Sequence, residues 1–204
     1  MQTRLKYHYG KVFPEAGCDE AGRGCLAGPV VAAAVILPDQ APGDLLRVLN
    51  DSKKLSVQTR LELRLLIEEQ ALAFGVAMVD NVEIDRINIL NASIKAMHLA
   101  IRQLIPQPGF LLIDGNRFKA YGDIPHQCIV KGDGRYASVA AASILAKTWR
   151  DAYMQVQHEK YPDYGWNYNK GYPTPAHKLG MRQQGITPLH RRSFKPVCQL
   201  EMAF

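Results

Sequence analysis

The sequence lacks the features that mark secreted, membrane-inserted or disulfide-stabilised proteins. Its four cysteines, Cys18, Cys25, Cys128 and Cys198, are scattered without a C-x-x-C pair, which argues against a zinc site and a dense disulfide framework. The N-terminus has no apolar signal-like segment, and no stretch reaches the roughly 18 apolar residues that a membrane span requires. We therefore expect a cytoplasmic protein.

Three common catalytic signatures are also missing. Gly22, Gly24 and Gly28 form G-x-G-x-x-x-G, which misses the dinucleotide fingerprint by one residue and lacks its strand-loop-helix context. There is no G-x-x-x-x-G-K-[ST] loop, and the pair His158-Glu159 lacks the second histidine of a zinc-protease helix. These absences disfavour nicotinamide enzymes, P-loop proteins and zinc proteases.

The composition that remains is that of a folded, basic protein. Apolar residues make up 47% and charged residues 22% of the 204 residues, which is ordinary for a globular chain. The 25 basic and 19 acidic residues give a net charge of +6, which favours a polyanionic partner. We expect one domain over residues 1–204, with an extension rich in Gly, Pro, Tyr and Arg over residues 162–204.

Hydrophobic periodicity predicts alternating strands and helices. The apolar run Gly28–Leu37 indicates a buried strand, with a partner strand at Ala16–Glu20. Further strands are predicted at Phe74–Asp80, 110–114 and Gln127–Val130, and helices from Ser56, over 82–105, from Ser138 to Gln157 and near Pro175–Gln184. The order β-β-α-β-α-β-β-α, followed by a tail, predicts a mixed α/β sheet with helices on its faces.

Four carboxylates stand where predicted strands end or loops begin: Asp19, Glu20, Asp114 and Asp133. Strand ends gather at one edge of such a sheet, where carboxylate oxygens can bind hard divalent cations. Any one of these acids is more commonly an ordinary turn residue, but four acids in glycine-containing segments favour a site. In a regular strand Asp19 and Glu20 point to opposite faces, so both serve one site only through a local twist or with one in a supporting role.

Six sequence blocks span nearly the whole chain: GCDEAGRG (17–24), DSKKLS (51–56), LLIDGN (111–116), KGDGRYASVAAASILAKTWRD (131–151), NKGYPTPAH (169–177) and HRRSFKPV (190–197). In this order they resemble the type 2 ribonuclease H family, and Gly22-Arg23-Gly24 resembles ribonuclease HII rather than HIII. The resemblance implies a ribonuclease H-like fold, a five-stranded mixed sheet flanked by helices, with a C-terminal helical and loop extension.

The resemblance also implies an activity. A protein of this family hydrolyses the RNA strand of RNA/DNA hybrids and cuts 5′ of single ribonucleotides in duplex DNA, leaving 3′-hydroxyl and 5′-phosphate ends, which serves ribonucleotide removal. By resemblance, the catalytic and metal-binding residues are Asp19, Glu20, Asp114 and Asp133. They would hold two Mg²⁺ or Mn²⁺ ions, one activating water and the other stabilising the leaving oxygen. We expect a monomer.

Substrate contacts follow from the same resemblance. Gly22, Arg23, Gly24 and Tyr172 would read the ribose 2′-hydroxyl, the group that distinguishes RNA from DNA. The expected phosphate contacts are Lys53, Lys147, Arg191 and Arg192. Solvated basic side chains and an isolated surface aromatic are the ordinary alternatives. No role is assigned to His177 and His190.

The last six residues, QLEMAF (199–204), resemble short peptides that dock on the bacterial sliding clamp. Gln199, Leu200, Met202 and Phe204 would be the contact residues. A tail that packs on its own domain is an equal alternative.

Two other functions stay open on the sequence. One is a catalytically silent protein that binds duplexes, and the other is a different ribonuclease H-fold nuclease, such as a resolvase or transposase. The first gains nothing from clustered negative charge. In the second, Tyr172 and the Gly-Arg-Gly loop have no evident purpose, so the endonuclease is preferred.

Overall fold

A five-stranded mixed sheet forms the centre of the protein. The computed structural model describes residues 4–10, 12–40, 45, 48, 49, 56–195, 197 and 199. The strands are β1 (Glu15–Ala21), β2 (Val30–Ile36), β3 (Ala73–Val79), β4 (Phe110–Asp114) and β5 (His126–Ile129), in the order β3-β2-β1-β4-β5. Strand β2 is antiparallel to β1 and β3, whereas β4 is parallel to β1 and β5. The predicted mixed sheet is confirmed.

Helices cover both faces of this sheet. They are α1 (Val57–Gln70), α2 (Asn81–Ile87), α3 (Ile89–Ile101), α4 (Ala137–Lys160), α5 (Trp166–Asn169) and α6 (Pro175–Gln184), with 3-10 turns at Gly132–Gly134 and Pro162–Tyr164. Among the described residues, no helix is both long and apolar enough to cross a membrane.

The single helix predicted over 82–105 is wrong, because the chain breaks it into α2 and α3. Asn88 adopts a left-handed conformation with φ 67° and ends α2. Its side chain accepts a hydrogen bond from the Asn91 N–H at 3.1 Å and so caps α3. The apolar period continues across the break, so periodicity alone reads the two helices as one.

The alternation of strand side chains divides the core into two layers. On one face Ala16 and Cys18 of β1 pack under α3, and on the other Ala33 and Val35 of β2 pack under α4. Strand β1 touches α4 directly at Gly17, where an added Cβ would overlap the backbone of Ser138 and Val139. The alanine-rich start of α4 therefore allows the helix to pack closely on the strand.

The segment after α4 builds a small core of its own against the main sheet domain. Tyr164, Trp166 and Met181 pack with Leu26 and Met154, so the extension is attached to the loop after β1 and to the end of α4. This contact places the C-terminal extension beside the edge of the sheet where β1 ends.

Candidate active site

The register of the central strands brings two of the predicted acids together. Cys18 of β1 pairs with Ile113 of the parallel strand β4, so the next residues, Asp19 and Asp114, are neighbours at the same edge. The charge of Asp114 acts on both Asp19 and Glu20. Three acids from two distant segments therefore repel one another at this edge.

Asp133 reaches the same edge through a tight turn. It lies exposed in the turn Gly132–Gly134, which follows Lys131 in a left-handed conformation with φ 57°. The Gly132 N–H donates to Asp114 Oδ1 at 2.7 Å, which ties this turn to the end of β4. Burial raises the pKa of Asp114, and the neighbouring charge of Asp133 raises it further.

Asp19 and Glu20 lie on opposite faces of β1, as strand alternation predicts. Burial raises the pKa of Asp19 well above its usual range, while a hydrogen bond with Ser143 of α4 opposes that shift. Glu20 instead lines a cavity on the α3 face with Ser93 and Asp114. Asp114 lies at the end of β4, and its charge raises the pKa of both Asp19 and Glu20. The acids on the two faces of β1 are therefore electrostatically coupled through Asp114.

The donor atoms at this edge fit a hard divalent cation. Burial raises the pKa of Glu20, whose Oε1 accepts a hydrogen bond from Arg23 Nη1 at 3.0 Å, whereas its buried Oε2 has no hydrogen-bond partner. An unpartnered buried carboxylate oxygen is costly, and a bound cation would satisfy it. Within the described parts of the chain, no three His, Cys, Asp or Glu side chains converge tightly enough to form a complete metal-ligand set.

The Gly-Arg-Gly loop begins one residue after β1 and meets the predicted tyrosine. Gly22 has φ 96°, and an added Cβ there would overlap the Arg150 guanidinium, so only glycine fits. An ideal Cβ on Gly24 would lie 3.8 Å from the Tyr172 ring. The Tyr172 side chain is 41% exposed. The loop and the ring therefore form one surface beside the acids.

The predicted phosphate contacts lie in different surroundings. Lys147 is partly exposed and donates to Asp151 Oδ1 at 2.7 Å, and its Nζ lies 5.9 Å from the centre of the Tyr172 ring. Arg192 is exposed, and its backbone N–H donates to Asp85 Oδ2 at 2.9 Å. Lys53 lies outside the described residues.

The prediction that Arg191 contacts a phosphate is wrong. Its side chain is 0% exposed, and the guanidinium donates to the carbonyls of Arg23, Gly28 and Pro29 at 3.0, 3.0 and 3.1 Å. A group so enclosed cannot reach a phosphate without breaking three hydrogen bonds. The sequence shows an arginine in a basic cluster, but only the folded chain shows which side of the loop it lies on.

Sequence reasoning missed Arg150, which is 1% exposed and donates to the carbonyls of Ala27, Pro29 and Lys170. A signal was present, because Arg150 stands four residues from both Ala146 and Met154 on an apolar helix stripe. Both of those neighbours are buried. A lone arginine at such a position predicts a buried guanidinium with internal partners.

His177 and His190 form a buried hydrogen-bonded pair. The Trp166 Nε1–H donates to His177 Nε2 at 3.0 Å, and the Thr187 N–H donates to His190 Nδ1 at 2.9 Å. His177 Nδ1 therefore carries the proton donated to the Tyr172 carbonyl at 2.9 Å, and His190 Nε2 carries the one donated to His177 Nε2 at 3.1 Å. Both rings are neutral and fully partnered.

Of the predicted tail contacts, only Gln199 is described, and it is helical and exposed. Leu200, Met202 and Phe204 lie outside the described residues.

A mixed sheet in this strand order, with acids gathered at one edge beside a glycine loop, defines a metal-dependent nuclease of the ribonuclease H type. The family model described as Ribonuclease HII matches residues 16–197, so the chain belongs to the ribonuclease HII family. The ribonuclease HII of Phocaeicola vulgatus is 58% identical over 200 residues, covering 97% of this chain and 98% of that protein. The predicted resemblance and the endonuclease function are thereby confirmed.

Solved structures support the same placement. The ribonuclease H2 of Pyrococcus horikoshii OT3 superposes with a TM-score of 0.79 at 26% identity, covering 93% of this chain and 97% of that one. The ribonuclease HII of Archaeoglobus fulgidus, solved as a complex with PCNA, gives a TM-score of 0.75 at 27% identity, covering 91% and 96%. The ribonuclease H-like fold that the sequence predicts is confirmed.

Proposed function

We propose that this ribonuclease HII cuts 5′ of single ribonucleotides in duplex DNA, as well as within the RNA strand of RNA/DNA hybrids, leaving 3′-hydroxyl and 5′-phosphate ends. One observation carries the proposal: Gly22 follows Glu20 by two residues, and the loop it begins lies against Tyr172. A surface suited to a ribose is thus joined directly to the acids. A single 2′-hydroxyl bound there has its own phosphodiester beside the carboxylates.

The four acids would hold the divalent ions of the reaction. Two Mg²⁺ or Mn²⁺ ions, when bound, supply Lewis-acid activation of water and stabilisation of the leaving oxygen. The protein holds each ligand in place: Ser143 bonds Asp19, Arg23 bonds Glu20, and the Gly132 N–H bonds Asp114. No side chain needs to act as a nucleophile.

Substrate contacts extend outward from the acids. Gly22, Arg23, Gly24 and Tyr172 contact the ribose, while Lys147 and Arg192 contact phosphates, which position a duplex without reading its sequence. Lys53 is proposed for the same role on its sequence block alone. All four acids come from one chain, which supports a monomer. The working compartment is proposed to be the cytoplasm.

The C-terminal residues are proposed to bind a sliding clamp. The support is that the Archaeoglobus fulgidus ribonuclease HII was solved in complex with PCNA. Removal of residues 199–204 should abolish binding to the bacterial clamp and leave cleavage of a short duplex unchanged. Equal clamp affinity of the full and shortened chains would contradict this part of the proposal.

The decisive experiment uses a labelled DNA duplex with one ribonucleotide and an all-DNA control, each incubated with Mg²⁺ and with EDTA. We expect cutting 5′ of the ribonucleotide that requires metal and that falls at least about a hundredfold in Asp114→Asn. Asp123→Asn is the matched control, because Asp123 is exposed and precedes β5, at the opposite end of the parallel strands. Tight binding without cutting would favour a silent binder, and cutting of the all-DNA duplex would contradict ribose recognition.

A further inference from the structure

Two buried guanidiniums lie beneath the Gly22–Gly24 loop, and neither has a carboxylate partner within ion-pair distance among the described residues. Arg150 and Arg191 donate instead to six backbone carbonyl contacts, with distances from 2.8 to 3.1 Å. Burial and the charge of Arg150 together lower the pKa of Arg191 to about 10, so its guanidinium remains charged at neutral pH. Two buried like charges are expensive to keep merely for packing.

The contact of Arg191 with the loop fixes the direction of one peptide group. Arg191 Nη1 donates to the Arg23 carbonyl at 3.0 Å from inside the protein. The peptide between Arg23 and Gly24 is trans, so the Gly24 N–H points away from that carbonyl and thus away from the interior. Arg191 therefore determines which way this N–H faces.

That N–H is available to a ligand. Gly24 is exposed, and within the described part of the chain its N–H donates to no protein atom. The nearest side chain to its ideal Cβ is the Tyr172 ring, at 3.8 Å. A hydrogen bond from a cation to the carbonyl polarises the peptide and makes its N–H a stronger donor.

Arg150 fixes the other half of the same surface. It bonds Ala27 and Pro29, which follow the loop, and also the carbonyl of Lys170, two residues before Tyr172. The loop and the tyrosine segment are further joined by the Leu26 N–H, which donates to the Gly171 carbonyl at 2.8 Å. The two arginines thus hold the loop and the ring in one arrangement.

We propose that Arg191 is a positioning residue for ribose recognition: it holds the Arg23–Gly24 peptide so that the Gly24 N–H donates to the 2′-oxygen of the ribonucleotide. Arg150 supports it by holding the Tyr172 segment against the same loop. The inference rests on the proposed function, in which the Gly-Arg-Gly loop contacts the ribose, and adds the buried residue that orients the loop peptide.

The test separates ribose recognition from general duplex binding. In the Asp114→Asn background, which prevents cutting, the affinities for an all-DNA duplex and for the same duplex with one ribonucleotide are measured by fluorescence anisotropy. Their ratio is the ribose preference. For Arg191→Met we expect the preference to fall about tenfold, the size of one lost hydrogen bond, with all-DNA affinity unchanged. Arg191→Lys should restore part of the preference, because it keeps the charge but not the fork.

Two further variants separate positioning from loss of stability. Met181→Ala removes a buried side chain from the same small core without touching the loop, so it should lower the thermal midpoint but keep the ribose preference. Gly24→Pro removes the donor itself. Arg191→Met added to Gly24→Pro should cause no further loss of preference, because both changes remove one contact.

The outcomes are distinct. A wild-type preference that survives in Arg191→Met, or in Gly24→Pro if Arg191→Met does not fold, overturns the inference while the proposed function stands. A wild-type protein that binds both duplexes equally overturns the proposed function itself.

Discussion

At the scale of single residues, Asp19 shows the cost of burying an acid at the proposed metal site. Its folded-state pKa is raised by burial and then by the charges of neighbouring acids. A raised carboxyl pKa contributes stability below the unfolded value, and that contribution is lost as pH rises through the folded value. At neutral pH the ionised Asp19 therefore lowers the free energy of unfolding of the metal-free protein.

Asp19→Asn should consequently make the metal-free protein more stable while abolishing cleavage. In EDTA at neutral pH we expect a gain of about 1 kcal/mol in the free energy of unfolding. The hydrogen bond from the Glu20 N–H to Oδ1 of residue 19 is retained, because an asparagine oxygen also accepts it. Thermal unfolding with EDTA and with Mg²⁺ measures this, and Mg²⁺ should stabilise the wild type more than the variant. A variant less stable than wild type in EDTA would contradict it.

The His177 and His190 pair carries the opposite pH dependence. Burial, together with the charge of His177, lowers the pKa of His190 from 6.5 to about 3. A folded pKa below the unfolded one means that stability is present above pH 6.5 and is lost as pH falls toward the folded value. Protonation of His177 Nε2 would also turn this acceptor into a donor that faces the N–H groups of Trp166 and His190.

His190→Asn should lower the free energy of unfolding at about pH 7.5, on the order of 1–2 kcal/mol, and by less at about pH 5. Urea denaturation of both proteins at the two pH values measures the pH-dependent contribution of His190 to the free energy of unfolding. The contribution of the acids cancels, because they titrate equally in both proteins. A stability difference that stays constant between the two pH values would show that the pair does not titrate in this way.

At the scale of elements, one stripe of α4 supports the whole site. Ser143 bonds Asp19, Lys147 lies near the Tyr172 ring, and Arg150 bonds the loop after β1. These positions follow one another at spacings of four and three residues, so they share a helix face. Because Gly17 lets β1 approach the start of this helix closely, the face lies against the strand that carries the acids.

The break between α2 and α3 should be decided by Asn88. Asn88→Ala removes the cap of α3 and places an alanine at a left-handed φ, so we expect a loss of about 2 kcal/mol in unfolding free energy. Asn88→Gly accepts that φ and loses only the side-chain cap, for a few tenths of a kcal/mol. Chemical denaturation of the two variants compares them, and equal losses would mean that the left-handed conformation contributes nothing.

At the scale of the whole molecule, a chain with a net charge of +6 carries a cluster of four acids at one edge of its sheet. The basic side chains attract the duplex without reading it, and the acids act only where metal neutralises them. Affinity for an all-DNA duplex should therefore fall steeply with salt, whereas ribose preference should change little. This separation follows because phosphate contacts release counterions and a hydrogen bond to a 2′-oxygen does not.

Lys147→Ala should reduce the slope of log affinity against log salt by about one unit, which is the effect of one phosphate contact. Lys95→Ala is the matched control, because Lys95 also pairs with a carboxylate, Glu83 at 2.6 Å, but lies on the helix that covers the opposite face of the sheet. Titrations of an all-DNA duplex across a range of salt measure both slopes. A Lys147→Ala slope equal to that of wild type would remove Lys147 from the interface.

The sequence by itself determined the order of strands and helices, the buried run of β2, the four acids at strand ends and the family, because these depend on local periodicity and on contiguous motifs. Only the tertiary structure decided that Asn88 divides a helix and that Arg191 faces inward. It also decided that Arg150 joins two distant loops and that His177 and His190 form a hydrogen bond with each other. Each of these features depends on which hydrogen-bond partner a polar group meets in the folded protein. That choice is made by segments far apart in sequence, as when the Arg191 guanidinium meets the Arg23 carbonyl, and no local pattern contains it.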